Sequence, residues 1–484
     1  MSYNPFVKNQ KGSFGELITS HKTPIVQIAN KYQIDPAELN DIEIFEATGG
    51  SADNNGNLFR CQTGTSLGGY GVVRSTETLN YRAGQGVECQ ITASFTTGQS
   101  LSLQFAGMFN ISETLAFGYD GDSFSCLHSY GGVSEVQLIT VDSTGAGTCT
   151  VTLDGDAVGI TVTNSDIQTN AEELRAGLFA DATLTGKWRF EQIDAKVYCI
   201  SKSVGNKTGT MSISGGVTAS IAEAERGVAK TDNHTAQASW NITTTPFTGF
   251  DPTKLNLYKI QFGYLGIANI TFSIYDSNLG DYVKVHQIEW ANANNETHLG
   301  QPNLKVGWTS ASLGSTGTNL IVQGASASIM LEGDEVIKNN TFSDESTVAS
   351  VGTTLTSLIT IKNRLVFNDR YNLGKIVPLL VSIDNDHNKA AIIEIVRNAD
   401  LGGTTNFQLE DEFNSIAIAD KSGTTVTNGD LIDAVTVPAG GDVVLDLTVL
   451  NTELLPDSTF TVAAKTVSGT STNMTVTIAW KEIK

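Results

Sequence analysis

Asp41, Glu43 and Glu46, in the run NDIEIFEA, carry the clearest chemical suggestion in the chain. Two carboxylates facing one sugar are the machinery of glycoside hydrolysis, one as acid/base and one as nucleophile or as base toward water. Alternating acids on a strand are also simply its solvent face, and the chemistry demands that two of them meet in a cleft. Asp384, Asn385, Asp386 and Asn388 form an oxygen-rich run of the kind that holds Ca²⁺. The fixed glycine and distal glutamate of a calcium loop are missing in register, so the run reads as a hairpin turn. Asp120-Gly121-Asp122 and Asp154-Gly155-Asp156 read as hairpin tips on the same grounds.

The acid spacing resembles the Glu-x-Asp-x-x-Glu strand of a large family of sandwich-fold glycoside hydrolases, with the first two identities exchanged. Asp41 in place of a glutamate sets its carboxylate back by one methylene, and pair geometry decides that mechanism. The expectation is no catalytic residue, no cofactor and no metal site: the chain is not an enzyme. His21, His128, His234, His286, His298 and His387 are scattered without HxH or HExxH spacing. No GxSxG elbow occurs among the serines. Tyr258, Tyr264, Tyr275, Tyr282, Trp290 and Trp308 are candidates for a sugar-stacking surface, although aromatics at alternating sandwich positions belong more often to the core.

Composition narrows the classes. Of 484 residues, Lys and Arg number 30 against 51 Asp and Glu, a formal charge of -21. Such a surface repels nucleic acid and anionic membrane, so neither is an expected partner. The 40% apolar content supports folded cores, and the length calls for two or three domains. Cys61, Cys89, Cys126, Cys149 and Cys199 are odd in number and form no CxxC pair, which reads as buried thiols from a reducing compartment. The amino-terminal run MSYNPFVKNQKGSFGELITS lacks the apolar core of a signal peptide. The sequons at Asn110, Asn241 and Asn269 are then chance matches.

These side chains have to be placed by strands. LYKIQFGYLG, NITFSIYD and YVKVHQIEWA alternate with period two and are parted by turn-type clusters, which predicts an antiparallel meander over 255–290. Residues 1–20 read as an extended docking arm, and 21–335 as a lectin-like β-sandwich interrupted by a small β-β-α-β-β insert at about 143–225. The insert's helix starts after a cap at Asn164 to Asp166, with Ile167, Ala171, Leu174 and Leu178 on one face. SWNITT, from Ser239 to Thr244, resumes the sandwich as a strand. The polar stretch 336–354 reads as a linker. Eight strand candidates in 355–484 predict a second sandwich or jelly roll.

The fold class expected is thus all-β, with two β-sandwich domains. The runs FGELITSHKTPIVQI, LNYRAGQGVECQITASFTTG, FGYDGDSFSCLHSYGGVSEVQLITV, FDPTKLNLYKIQFGYLGIANITFSI and RLVFNDRYNLGKIVPLLVSIDNDHNKAAIIEIVRNADLGG resemble virion structural proteins of tailed bacteriophages and of some large aquatic DNA viruses. The resemblance implies a non-enzymatic fibre, spike or decoration, made in the host cytoplasm and carried on the virion. It further implies a homotrimer, anchored to capsid or tail proteins through the amino-terminal arm. A carbohydrate- or receptor-binding role toward a host surface glycan is the alternative, and a sandwich-fold glycan hydrolase the third reading.

Overall fold

The computed structural model describes residues 22–484 apart from 40, 80, 82, 164, 208–210, 264, 315–316, 334–339, 387–388, 404, 412, 451 and 470. The expected arm at 1–20, the start of the expected linker, and His21, Asn164, Tyr264, His387 and Asn388 lie outside the described residues.

Alternation decides the architecture, which is all-β with one helical region. In the strand Gly86–Phe95, Val87, Cys89, Ile91 and Ala93 are fully buried while Gln90 and Thr92 keep some exposure. That period of two gives a sheet one apolar face, which must be covered by a second sheet. The chain divides into two compact units, the first made of Met1–Val133 with Ala229–Val336.

In the first unit a nine-stranded sheet runs Asp281–Ile288, Ile270–Asp276, Asn256–Gly263, Gly86–Phe95, Ile321–Gly324, Leu58–Gln62, Ser51–Asn55, and Ser326–Glu332 joins Gly86–Phe95 to Lys22–Ala29. An eight-stranded sheet packs against it, with Ser123–Tyr130, Thr114–Asp120, Ser102–Phe109, Lys305–Ser312, Tyr70–Ser75 and Ile42–Ala47 in order. Every pairing between these strands is antiparallel. The two inner faces meet through aromatic contacts: Phe117 and Tyr258 at 4.8 Å between ring centroids, Phe59 and Trp308 at 5.1 Å. The expected meander is there, as Asn256–Gly263, Ile270–Asp276 and Asp281–Ile288.

The second unit comprises Ser134–Val228 with Ile337–Lys484. Its carboxy-terminal part is a sandwich of a four-stranded sheet (Thr341–Val351, Thr472–Ile483, Lys375–Asn385, Asp442–Asp446) and a six-stranded one centred on Thr356–Asn363 and Thr459–Thr466. Ile361, Ile383, Ile393, Val462, Val476 and Trp480 are fully buried in one core. The insert adds the four-stranded sheet Trp188–Ile193, Lys196–Val204, Ser134–Ser143, Thr218–Glu225, a three-stranded sheet, and the helix Ile167–Ala180. Asp166 starts that helix by accepting from the N–H groups of Gln168 and Thr169 at 2.9 Å, and Ala171, Leu174 and Leu178 are its buried face.

Four expectations differ from what is observed. The insert belongs to the same compact unit as the carboxy-terminal sandwich and starts at Ser134 rather than about 143. The cause is a shared apolar cluster of Val136, Ile193, Tyr198 and Ile200 with Leu365 and Val366, plus Glu191, whose buried carboxylate accepts from the N–H of Leu365 at 2.7 Å and of Val366 at 3.1 Å. The supposed linker contains the strand Thr341–Val351, an edge strand whose polar side chains are mostly exposed. Ser51–Asn55, within the polar stretch Gly49 to Gly56 that reads from sequence as a turn, is a strand, held by a bidentate Arg60–Asp53 pair in register with two contacts of 2.7 Å. SWNITT is not a strand: Trp240 is buried, and the Asn241 side chain itself bonds the backbone of Gln287 through Oδ1 (2.9 Å) and Nδ2 (2.8 Å).

Candidate functional site

The outer face of the nine-stranded sheet carries an open groove of about 600 Å³. Register puts Lys259, Gln90, Ser328 and Gln27 opposite one another on four successive strands, a polar row one residue wide. Gln90, Ser328 and Gln27 line the groove, with Leu257, Ser326 and Ala29 beside them. Because strand side chains alternate, this polar row is the solvent-side counterpart of Ile91, Tyr258 and Ile329 in the core. The Ser328 hydroxyl oxygen is buried without a hydrogen-bond partner.

The segment after Lys22–Ala29 makes the wall, through Lys31, Tyr32, Ile34, Leu39 and Asp41. Tyr32 is 89% exposed and sits at φ 58°, followed by Gln33 at φ 56°. Two successive non-glycine residues in the left-handed region are costly, about 1–2 kcal/mol each. The Asn54 side chain holds the turn by donating to the Gln33 carbonyl at 2.9 Å, and Asp35 caps the 3-10 turn Pro36–Glu38. Backbone strain that displays an aromatic ring to solvent is the kind found where a surface binds.

Next to this row lies Glu88, also on the outer face yet only 1% exposed. It accepts from Lys22 Nζ at 2.6 Å, Gln90 Nε2 at 2.7 Å and Gln261 Nε2 at 2.9 Å, with Lys259 Nζ at 3.9 Å. Burial pulls the Lys259 ammonium down, against the opposing pull of Glu88. Lys259 also stands over the Tyr282 ring at 4.2 Å, and Tyr282 meets Tyr275 edge-on at 5.5 Å.

The residues singled out by sequence disperse. Asp41 reaches the groove wall. Glu43 is held on the other sheet by Arg74 at 2.9 Å and Lys305 at 2.5 Å, whereas Glu46 accepts from the Ala52 N–H at 3.1 Å. A spacing of three along one strand puts Glu43 and Glu46 on opposite faces, so they do not form a pair across one sugar. Of the aromatics, Tyr258, Trp290 and Trp308 are buried core. Asn385 is 1% exposed and satisfied by Lys389, Pro438 and Thr472, the work of a turn. Tyr32 and Gln90 were missed; one sits in a stretch without periodicity and the other is an ordinary outward strand position.

Two of the described histidines, His128 and His298, pack together in the first unit. His128 Nε2 lies 2.7 Å from the His298 carbonyl oxygen, beside Tyr130 at 4.9 Å and Trp290 at 5.5 Å between centroids. Burial drives both His128 and His298 down to about 4. Glu113 nearby is pushed up to about 7 by burial, against hydrogen bonds from the Gly300, Gly131 and Gln301 N–H groups and the charge of Lys230. Among the described residues no three His, Cys, Asp or Glu side chains are grouped to hold a metal ion. All five cysteines are buried free thiols.

No protein-family model matches the sequence, and no curated protein is similar to it. Solved structures similar to this chain are lectin-like sandwiches. A legume lectin-like domain from Entamoeba histolytica is 8% identical, matching 64% of this chain and 97% of its own at a TM-score of 0.26. The exoplasmic/lumenal domain of VIP36, in its Ca²⁺/Man3GlcNAc-bound form, is 9% identical over 66% and 92%, TM-score 0.25. The lectin from Bauhinia forficata in complex with GalNAc is 10% identical over 64% and 98%, TM-score 0.22. Likenesses this loose carry no argument about what the chain binds.

Proposed function

We propose that this chain is a non-enzymatic glycan-binding protein and that the groove on the outer face of the nine-stranded sheet is its site. The observation that carries the reading is the 89% exposed Tyr32 ring, held on a strained turn that lines the same groove as a row of amides and hydroxyls, Gln27, Ser328 and Gln90. An apolar ring face beside a few placed hydrogen-bonding groups suits a sugar, whose ring has an apolar face and a rim of hydroxyls. Asp41 adds an acceptor at the wall. The resemblance of the sequence to virion structural proteins favours a second reading that is compatible with the first: a homotrimeric particle component that binds a host glycan.

The test is a glycan microarray probed with the full chain, wild type beside Tyr32→Ala. Retention of a defined set of glycans by the wild type, and its loss in the variant, is expected. A blank array, or equal retention by both proteins, overturns the proposal.

A further inference from the structure

We propose that Glu88 is a positioning residue for the groove: it fixes the Gln90 carboxamide, so that the site meets a ligand hydroxyl there in one set hydrogen-bonding geometry. The inference rests on the glycan reading and adds the group that reads the hydroxyl.

Glu88 and Gln90 lie two residues apart on Gly86–Phe95 and so project from the same face. A carboxylate only accepts, and a carboxamide offers a donor at one end and an acceptor at the other. Gln90 therefore turns its Nε2 to Glu88 Oε1, at 2.7 Å. Its oxygen and its second N–H are what Gln90 then has left to offer, in a fixed orientation. Without that bond nothing chooses between the two ends of the half-buried Gln90 carboxamide.

Glu88 is itself fixed. Lys22 on one neighbouring element and Gln261 on the adjacent strand both donate to its Oε2, at 2.6 and 2.9 Å. Gln261 is its cross-strand partner in register, as Lys259 is of Gln90. The group that directs Gln90 is thus buried, satisfied and held from two sides, which is what a supporting shell has to be. Ligand chemistry follows: a sugar hydroxyl that meets the fixed carboxamide gains a hydrogen bond, and one replaced by hydrogen does not.

Saturation-transfer NMR titrations of the full chain with methyl glycosides of neutral hexoses and N-acetylhexosamines, and with their monodeoxy analogues, test this. Wild type is expected to bind at least one glycoside and to disfavour one deoxy analogue about tenfold, the effect of one hydrogen bond. Glu88→Gln frees the Gln90 amide to turn over and diminishes that preference. In a Gln90→Leu background, Glu88→Gln changes binding less than about twofold, because its route to the ligand is gone. Should Glu88→Gln fail to fold, Gln90→Leu alone decides, since it too must lose the preference. An undiminished preference in either single variant, or an undiminished effect of Glu88→Gln without Gln90, overturns the proposal. Failure of wild type to bind any glycoside brings down the glycan reading itself, and is seen before any variant is made.

Discussion

Gln90 donates a carboxamide N–H to Glu88, two residues earlier on the same strand, at 2.7 Å. That bond joins a buried carboxylate to a residue that lines an open groove, and the groove's far wall carries Tyr32 in a left-handed turn. Positioned amide and displayed ring are separate products of the same sheet, one from strand alternation and one from the loop leaving its edge strand.

Tyr32 combines display with strain, so its replacements should split binding from stability. Tyr32→Ala is expected to weaken glycan binding about tenfold or more while changing thermal stability little, because the ring is 89% exposed. Tyr32→Gly should also lose binding yet gain about 1 kcal/mol of stability through relief of the φ 58° backbone. Glycan titration and chemical denaturation of the two variants read both effects.

Acid should loosen the corner around His128. His128 and His298 are held near 4 in the fold against 6.5 in the free side chain, so the unfolded chain binds more protons between those values. Glu113 has the opposite sign: raised from 4.5 to about 7, it costs stability as pH climbs through that window. The histidine pair outweighs it by about one proton, so stability falls by about 1 kcal/mol per pH unit on acidification from 6.5 toward 4.5. Hydrogen exchange of Ser123–Tyr130 against pH measures the slope. Glu113→Gln should steepen it.

Glu191 ties the insert to the carboxy-terminal sandwich through the Leu365 and Val366 N–H groups, with Lys362 at 3.6 Å from its other oxygen. Glu191→Ala should destabilise the second unit by about 3–5 kcal/mol, because two buried N–H groups lose their acceptor and Lys362, still paired with Asp457 at 2.7 Å, loses its second carboxylate. Burial pushes the Glu191 carboxyl up, against Lys362 and the two N–H groups; Glu191→Gln keeps an acceptor oxygen for those N–H groups and should cost markedly less. Denaturant unfolding of the two variants separates these outcomes.

Glu43 belongs to the architecture and not to the groove. Glu43→Gln removes ion pairs to Arg74 and Lys305 that are partly buried, a loss of about 1 kcal/mol, and should leave glycan binding unchanged. Altered binding with unaltered stability would contradict its placement.

Alternation made most of the strands legible, because burying one face of a sheet writes period two into the sequence: the 255–290 meander and the eight carboxy-terminal strands are plain. Elements stabilised by neighbours instead of by their own pattern were hidden. Ser51–Asn55 is turn-type in composition and a strand only because Leu58–Gln62 templates it. Thr341–Val351 is polar because one face of an edge strand meets water, and that polarity mimics a linker. SWNITT alternates but spends its Trp on the core and its Asn on a strand edge. The groove was hidden for the same reason: Lys259, Gln90, Ser328 and Gln27 are far apart in sequence and adjacent only through register.

Hydrogen-exchange protection of the full chain on adding a glycan retained by the array is the most direct test of where binding occurs. Protection confined to peptides covering residues 27–41, 86–95 and 326–332 is the predicted result. Protection centred elsewhere, with those segments unchanged, would contradict the assignment of the groove as the site.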